Sequence, residues 1–116
     1  WSPWCPPCLA QMEPLKELRK KYSTDDIVFI SICRNDDRKQ YKQVLDKYGM
    51  YVDGIEHIHA DDLQAESQVH KMYNQLNIDG IPYFFIINRE GVIVNYGSMM
   101  RPSYPGTAEC FEEWLE

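Results

Sequence analysis

Trp1-Ser2-Pro3-Trp4-Cys5-Pro6-Pro7-Cys8 opens the chain, and its last five residues carry most of what can be read from it. From Pro7 to about Lys21, Leu9, Met12, Leu15 and Leu18 recur near helical spacing, with lysine and arginine gathered at the far end where the helix dipole favours them. Prolines are tolerated in a first turn, where backbone N–H groups lack partners anyway. Cys5 and Cys8 therefore sit on one turn at the mouth of a helix, close enough to close a small disulfide ring. Cys5 lies where the dipole and free N–H groups stabilise a thiolate, and Cys8, one turn inside, should be less exposed. The thiolate is the attacking species in disulfide exchange, so the spacing predicts one nucleophile and one resolving thiol. Pro6 and Pro7 each remove an N–H, leaving that of Cys8 as the nearest backbone donor to the Cys5 sulfur. A Cys-x-x-Cys also begins zinc knuckles, but such a site needs two more ligands. There is no second Cys-x-x-Cys, and Cys33 and Cys110 stand alone. The redox reading is the stronger one.

Working outward, Ile27 to Cys33 is a β-branched and aromatic run that suits a strand buried on both faces. Asp37 to Tyr48 reads as a helix with Tyr41, Val44, Leu45 and Tyr48 on one face and Gly49 as its stop. Val69, Met72, Tyr73 and Leu76 define a third helix, and a short strand is expected around Glu56 to His59. Gly80-Ile81-Pro82 leads into strands over Tyr83–Ile87 and Val92–Tyr96, joined by Asn88-Arg89-Glu90-Gly91 as an antiparallel hairpin. Thr107 to Glu116 closes the chain as a helix with Phe111, Trp114 and Leu115 on its apolar side. This order is an α/β layout with helices on a mixed sheet.

The chain has 116 residues, which fits one domain. Its formal charge is −6, which argues against nucleic acid as a partner, because phosphate binding needs a basic face. The longest apolar run, Ile81 to Ile87, is broken by Pro82 and is far below the roughly 18 residues of a membrane span. Four cysteines are too few for a disulfide-stapled scaffold of this length.

Taken with Gly80-Ile81-Pro82 before a hairpin, the opening motif resembles the thioredoxin superfamily. With Ile86-Ile87-Asn88-Arg89-Glu90-Gly91-Val92-Ile93-Val94 and Arg101-Pro102-Ser103, it is similar to the extracytoplasmic thiol-disulfide oxidoreductases of the TlpA/ResA type. The resemblance implies a thioredoxin-like fold, a mixed sheet with helices on both faces. It implies that Cys5 attacks and Cys8 resolves, and that the Ile81–Pro82 bond is cis, an isomer that costs only about 0.5–1 kcal/mol at proline. A cis-proline beside the sulfurs turns the Ile81 backbone outward, where an extended substrate pairs as an added strand. Trp4 and Tyr83 are then expected to line the substrate groove. The activity implied is reduction of protein disulfides outside the cytoplasm, in a bacterial periplasm or cell envelope, with apocytochromes or other envelope proteins as clients and electrons from a membrane donor. No cofactor beyond the dithiol couple and no metal are expected.

The sequence departs from that pattern in three ways. The family places a hydrophobic strand, central in the sheet, just before the first tryptophan; none precedes Trp1, so the chain reads as a single domain over 1–116 with an N-terminal truncation that hides any signal peptide or anchor. Gln11 stands where ResA-type relatives carry a glutamate, and an amide cannot take up a proton. The helix proline is displaced to Pro14, which removes an N–H and should loosen the helix around Cys8 to Ala10. Two rivals stay open: an oxidase or isomerase using the same motif, and a non-catalytic binding module of the same fold. Cys33 is expected as packing, with a Cys33–Cys110 disulfide as the alternative. His57, His59, Asp61 and Asp62 are expected as a solvated loop before a metal site, His70 as a surface residue, and Met99 and Met100 as loop packing.

Overall fold

The computed structural model describes residues 1–34, 37–62, 71, 75 and 80–115. The expected third helix, with Val69, Met72, Tyr73 and Leu76, and with it His70, lies outside the described residues.

The first helical stretch is two helices. α1 spans Pro6–Leu9 and α2 spans Met12–Lys20, with the break at Ala10 and Gln11. Pro14 accounts for it, since it has no N–H to donate to the Ala10 carbonyl four residues back. Gln11 N instead donates to Cys8 O at 3.0 Å, and the regular ladder resumes with Leu15 N donating to Gln11 O at 2.9 Å.

β1 (Phe29–Cys33) pairs in parallel with β2 (Ile55–His59), Ile30 opposite Glu56 and Cys33 opposite His59. Between them runs α3 (Arg38–Lys47), capped by Asp37, whose carboxylate accepts from Lys39 N and Gln40 N. Gly49 ends that helix region at φ +61°, a conformation open to glycine at no steric cost. The expected burial of β1 on both faces is not observed. Phe29, Ser31 and Cys33 are buried, whereas Val28 and Ile30 are 59% and 61% exposed. The period-2 alternation of a strand puts these two sets on opposite faces, and among the described residues only the first meets a packed core.

That core joins Met12 and Leu18 of α2, Phe29 and Cys33 of β1, Tyr41 and Leu45 of α3, Met50 and Ile55. Phe111 of α4 (Pro105–Leu115) closes it from the side, edge-on to both Tyr22 and Phe29. Cys33 and Cys110 are both buried and are not joined to each other by a disulfide, in keeping with packing as the role expected of Cys33.

β3 (Phe84–Ile87) and β4 (Ile93–Gly97) form the antiparallel hairpin, irregular in register between Ile86 and Ile87. Its turn is built by Asn88, whose side-chain oxygen accepts from Glu90 N and Val92 N, and by Gly91 at φ +81°. Among the described residues the mixed α/β scaffold carries two small sheets, one parallel and one antiparallel. A cavity of about 940 Å³ lies between them, lined by β1, β3, α2 and α4. At its upper end Trp1 extends the parallel pairing: its amino group donates to Ile32 O, and Arg34 N donates to Trp1 O, both at 2.9 Å. None of the described helices is long and apolar enough to cross a membrane.

Candidate active site

Ser2, wholly buried, accepts from Cys5 N at 3.1 Å through its carbonyl and turns the chain into α1. Trp1 is anchored beneath, its indole N–H donating to Ser31 Oγ at 2.8 Å and its ring 5.8 Å from that of Tyr41. The start of α1 is thereby tied to β1 and α3, and Cys5 becomes its N-cap.

Cys5 and Cys8 are joined by a disulfide with their Cα atoms 5.2 Å apart. The Cys8 amide donates to Cys5 Sγ at 3.3 Å, which is the one donor that Pro6 and Pro7 leave in this turn. A thiolate at Cys5 would receive that hydrogen bond together with the field of the helix N-terminus. The expected contrast in exposure is not found: Cys5 is 4% and Cys8 3% exposed. The reason is the neighbour across the motif. The Ile81–Pro82 peptide is cis, and the Ile81 carbonyl oxygen lies 4.0 Å from Cys5 Sγ, covering the outer sulfur as the helix covers the inner one.

Of the other residues expected at the site, Ile81, Pro82 and Tyr83 lie with Cys8 along one cavity. Tyr83 packs against Phe85 at 4.9 Å and faces Tyr96 at 6.5 Å. Trp4 does not share that cavity with Tyr83. It is 62% exposed and lies in a separate depression with Pro3 and α3.

Two features were not legible in the sequence. Gln11 Oε1 accepts from Ser103 N at 3.0 Å, pinning the segment after the hairpin to the junction of α1 and α2. The depression beside Trp4 is walled by Gln40, Gln43, Val44 and Lys47. The i, i+3, i+4, i+7 spacing of those four was the available signal, but it is mostly polar and runs beside the apolar stripe that dominates the helix.

His57 and His59 lie on β2 and not in the solvated loop expected of them: His57 Nε2 is within hydrogen-bonding distance of Met50 O at 2.7 Å, and His59 is 1% exposed with its ring edge-on to Tyr41. Asp62 is drawn away by Arg38, with which it forms a two-pronged ion pair. No cluster of three metal-ligating side chains occurs among the described residues.

A disulfide at a helix mouth, faced by a cis-proline on an α/β scaffold, defines the class of thioredoxin-like oxidoreductases. The sequence profile of the Thioredoxin-like family matches residues 1–93, and the chain belongs to that family. Among solved structures, a Bacteroides vulgatus protein described as a thiol-disulfide oxidoreductase superposes with a TM-score of 0.71 at 34% identity, covering 99% of this chain and 69% of that one. A secreted Mycobacterium tuberculosis disulfide oxidoreductase matches at TM-score 0.65 and 16% identity, over 99% of this chain and 75% of its own. Mycobacterium tuberculosis DsbF matches at 0.64 and 14%, over 100% and 76%. The two mycobacterial likenesses are of fold. No curated protein matches the chain.

Proposed function

We propose that the protein reduces disulfides in protein substrates, with Cys5 as nucleophile and Cys8 as resolving thiol. The observation that carries this reading is the hydrogen bond from the Cys8 amide to Cys5 Sγ at the helix mouth, opposite Ile81–Pro82. In the dithiol form, the Cys5 thiolate attacks one sulfur of a substrate disulfide. The substrate S–S bond breaks, a Cys5–substrate disulfide forms, and the first substrate thiolate leaves and takes a proton from solvent. Cys8, deprotonated, then attacks the Cys5 sulfur. This closes the Cys5–Cys8 disulfide and releases the second substrate thiolate, so two electrons have passed to the substrate. Ile81, beside the sulfurs, offers its backbone to an extended substrate, with Pro82 and Tyr83 beside it and Trp4 at the rim.

The dithiol couple is the whole of the redox equipment in this reading, and it must be re-reduced by an outside dithiol. A membrane-borne donor and a location outside the cytoplasm fit the TlpA/ResA-type resemblance. Cys8→Ser should trap substrate proteins on Cys5 as mixed disulfides, detectable by non-reducing electrophoresis and released by dithiothreitol; Cys5→Ser should trap none. Absence of any adduct with oxidised substrates that the wild type does reduce would refute the assignment of roles. Direction is read from the equilibrium potential: near or below about −250 mV supports a reductase, and well above about −200 mV supports the oxidase or isomerase reading.

A further inference from the structure

The depression beside Trp4 has a volume of about 340 Å³ and is lined by Pro3, Trp4, Gln40, Gln43, Val44 and Lys47. Three lining residues are apolar, two are amides, and the single charged one is a cation. The indole of Trp4, one residue from Cys5, is 62% exposed at this spot. An exposed tryptophan beside a reactive motif is the kind of rigid apolar surface that anchors a bound peptide.

The charge of the adjoining helix is out of keeping with the rest of the molecule. The protein carries a formal charge of −6, yet α3 holds Arg38, Lys39, Lys42 and Lys47 against Asp46 alone. Arg38 is spoken for by Asp62, and Asp37 at the cap binds backbone N–H groups. Lys47 has no ion-pair partner among the described residues; its Nζ lies 5.7 Å from the centre of the Tyr48 ring, which holds its stem along the helix end. Asp46, though adjacent in sequence, is not among the lining residues.

We infer that this depression selects the substrate: it takes an apolar side chain near the target disulfide, flanked by an acidic residue that pairs with Lys47. The inference rests on the disulfide-exchange reading above and specifies which polypeptides that site receives. Net charge and local charge act in opposite directions at this spot. A chain of −6 should on the whole repel acidic peptides. At about 0.1 M salt, however, the screening length is about 10 Å, so a peptide seated on Trp4 feels Lys47 and its helix neighbours more than the distant carboxylates.

The test uses the reduced full chain and three oxidants at 0.1 M salt. Two are synthetic peptides, each closed by one internal disulfide, matched in potential, with a leucine flanked by glutamates in one and by lysines in the other. The third is the small neutral bis(2-hydroxyethyl) disulfide. The glutamate peptide should react about five- to tenfold faster than the lysine peptide, with the ratio collapsing towards one at about 1 M salt, where the screening length is about 3 Å. Lys47→Glu should abolish or invert the preference, and Lys47→Gln should reduce it, each variant's peptide rates being taken relative to its own rate with the neutral disulfide. Equal rates for the two peptides, a faster lysine peptide, or a preference indifferent to Lys47 would overturn the inference while leaving disulfide exchange standing. No reaction with any of the three oxidants would instead overturn the exchange reading itself.

Discussion

At the scale of single residues, the distinctive element is what the two prolines withhold. An N-cap side chain can accept from the amide two or three residues on; for Cys5 the first of these belongs to Pro7, which has none, and only Cys8 N is left, at 3.3 Å. Pro7→Ala would supply the missing donor. Its reduced form should hold more thiolate at neutral pH, read as alkylation of Cys5 by iodoacetamide between about two- and tenfold faster than wild type, the range expected for one added hydrogen bond to a partly solvated charge. An unchanged rate would mean that the helix field alone sets the thiolate population. Gln11 is the second such residue. Its amide oxygen receives Ser103 N at 3.0 Å, so Gln11→Ala should cost about 0.5–1.5 kcal/mol and speed hydrogen exchange at the Ser103 amide. Gln11→Glu, which keeps an acceptor in place, should restore much of that protection.

At the scale of elements, α3 does two jobs from two faces. Its inner face puts Leu45 into the core with no exposed surface, beside the buried Tyr41. Leu45→Ala should destabilise the fold by about 2–5 kcal/mol, measured by urea unfolding. The helix entrance depends on the Asp37 carboxylate, which receives Lys39 N at 2.7 Å and Gln40 N at 3.2 Å; Asp37→Ala should cost about 0.5–2 kcal/mol in the same assay. The break between α1 and α2 is the complementary case. It follows from Pro14, and it places Gln11 at a helix junction where its side chain is free to reach across to Ser103.

At the scale of the whole molecule, stability should vary with pH at both ends. Burial raises the phenols of Tyr22 and Tyr41 above the ordinary value of 10.0, with the Glu112 carboxylate adding to the effect at Tyr22. A raised folded value means that the neutral phenols contribute fully below about pH 10 and that this contribution is lost as pH rises through the raised values. Tyr41→Phe, which keeps the ring against Trp1 and His59, should flatten the alkaline fall in Tm. At the acid end, the hydrogen bond from Arg38 holds Asp62 below its ordinary 3.8. Its contribution is complete above that value and disappears as pH falls through the lowered one. The carboxyl carbon resonance of Asp62 should therefore titrate later on acidification than an ordinary aspartate, and Arg38→Ala should return it to the usual range.

The sequence by itself determined what depends on near neighbours along the chain. The Cys5–Cys8 turn, the loosening by Pro14, the Gly49 stop and the Asn88–Gly91 hairpin follow from backbone valence and local hydrogen bonds, which act over three or four residues. Through its resemblance to thioredoxins, the sequence also carried the cis bond before Pro82. Only the tertiary structure decided the relations between distant segments. It placed the Ile81 carbonyl over the Cys5 sulfur, across 76 residues of chain, and so buried both cysteines alike. Among the described residues it left one face of β1 exposed, kept the two small sheets separate, and placed Trp4 beside α3 and not in the cavity that Tyr83 lines. These outcomes depend on which surfaces meet, and periodicity identifies an apolar face without naming its partner.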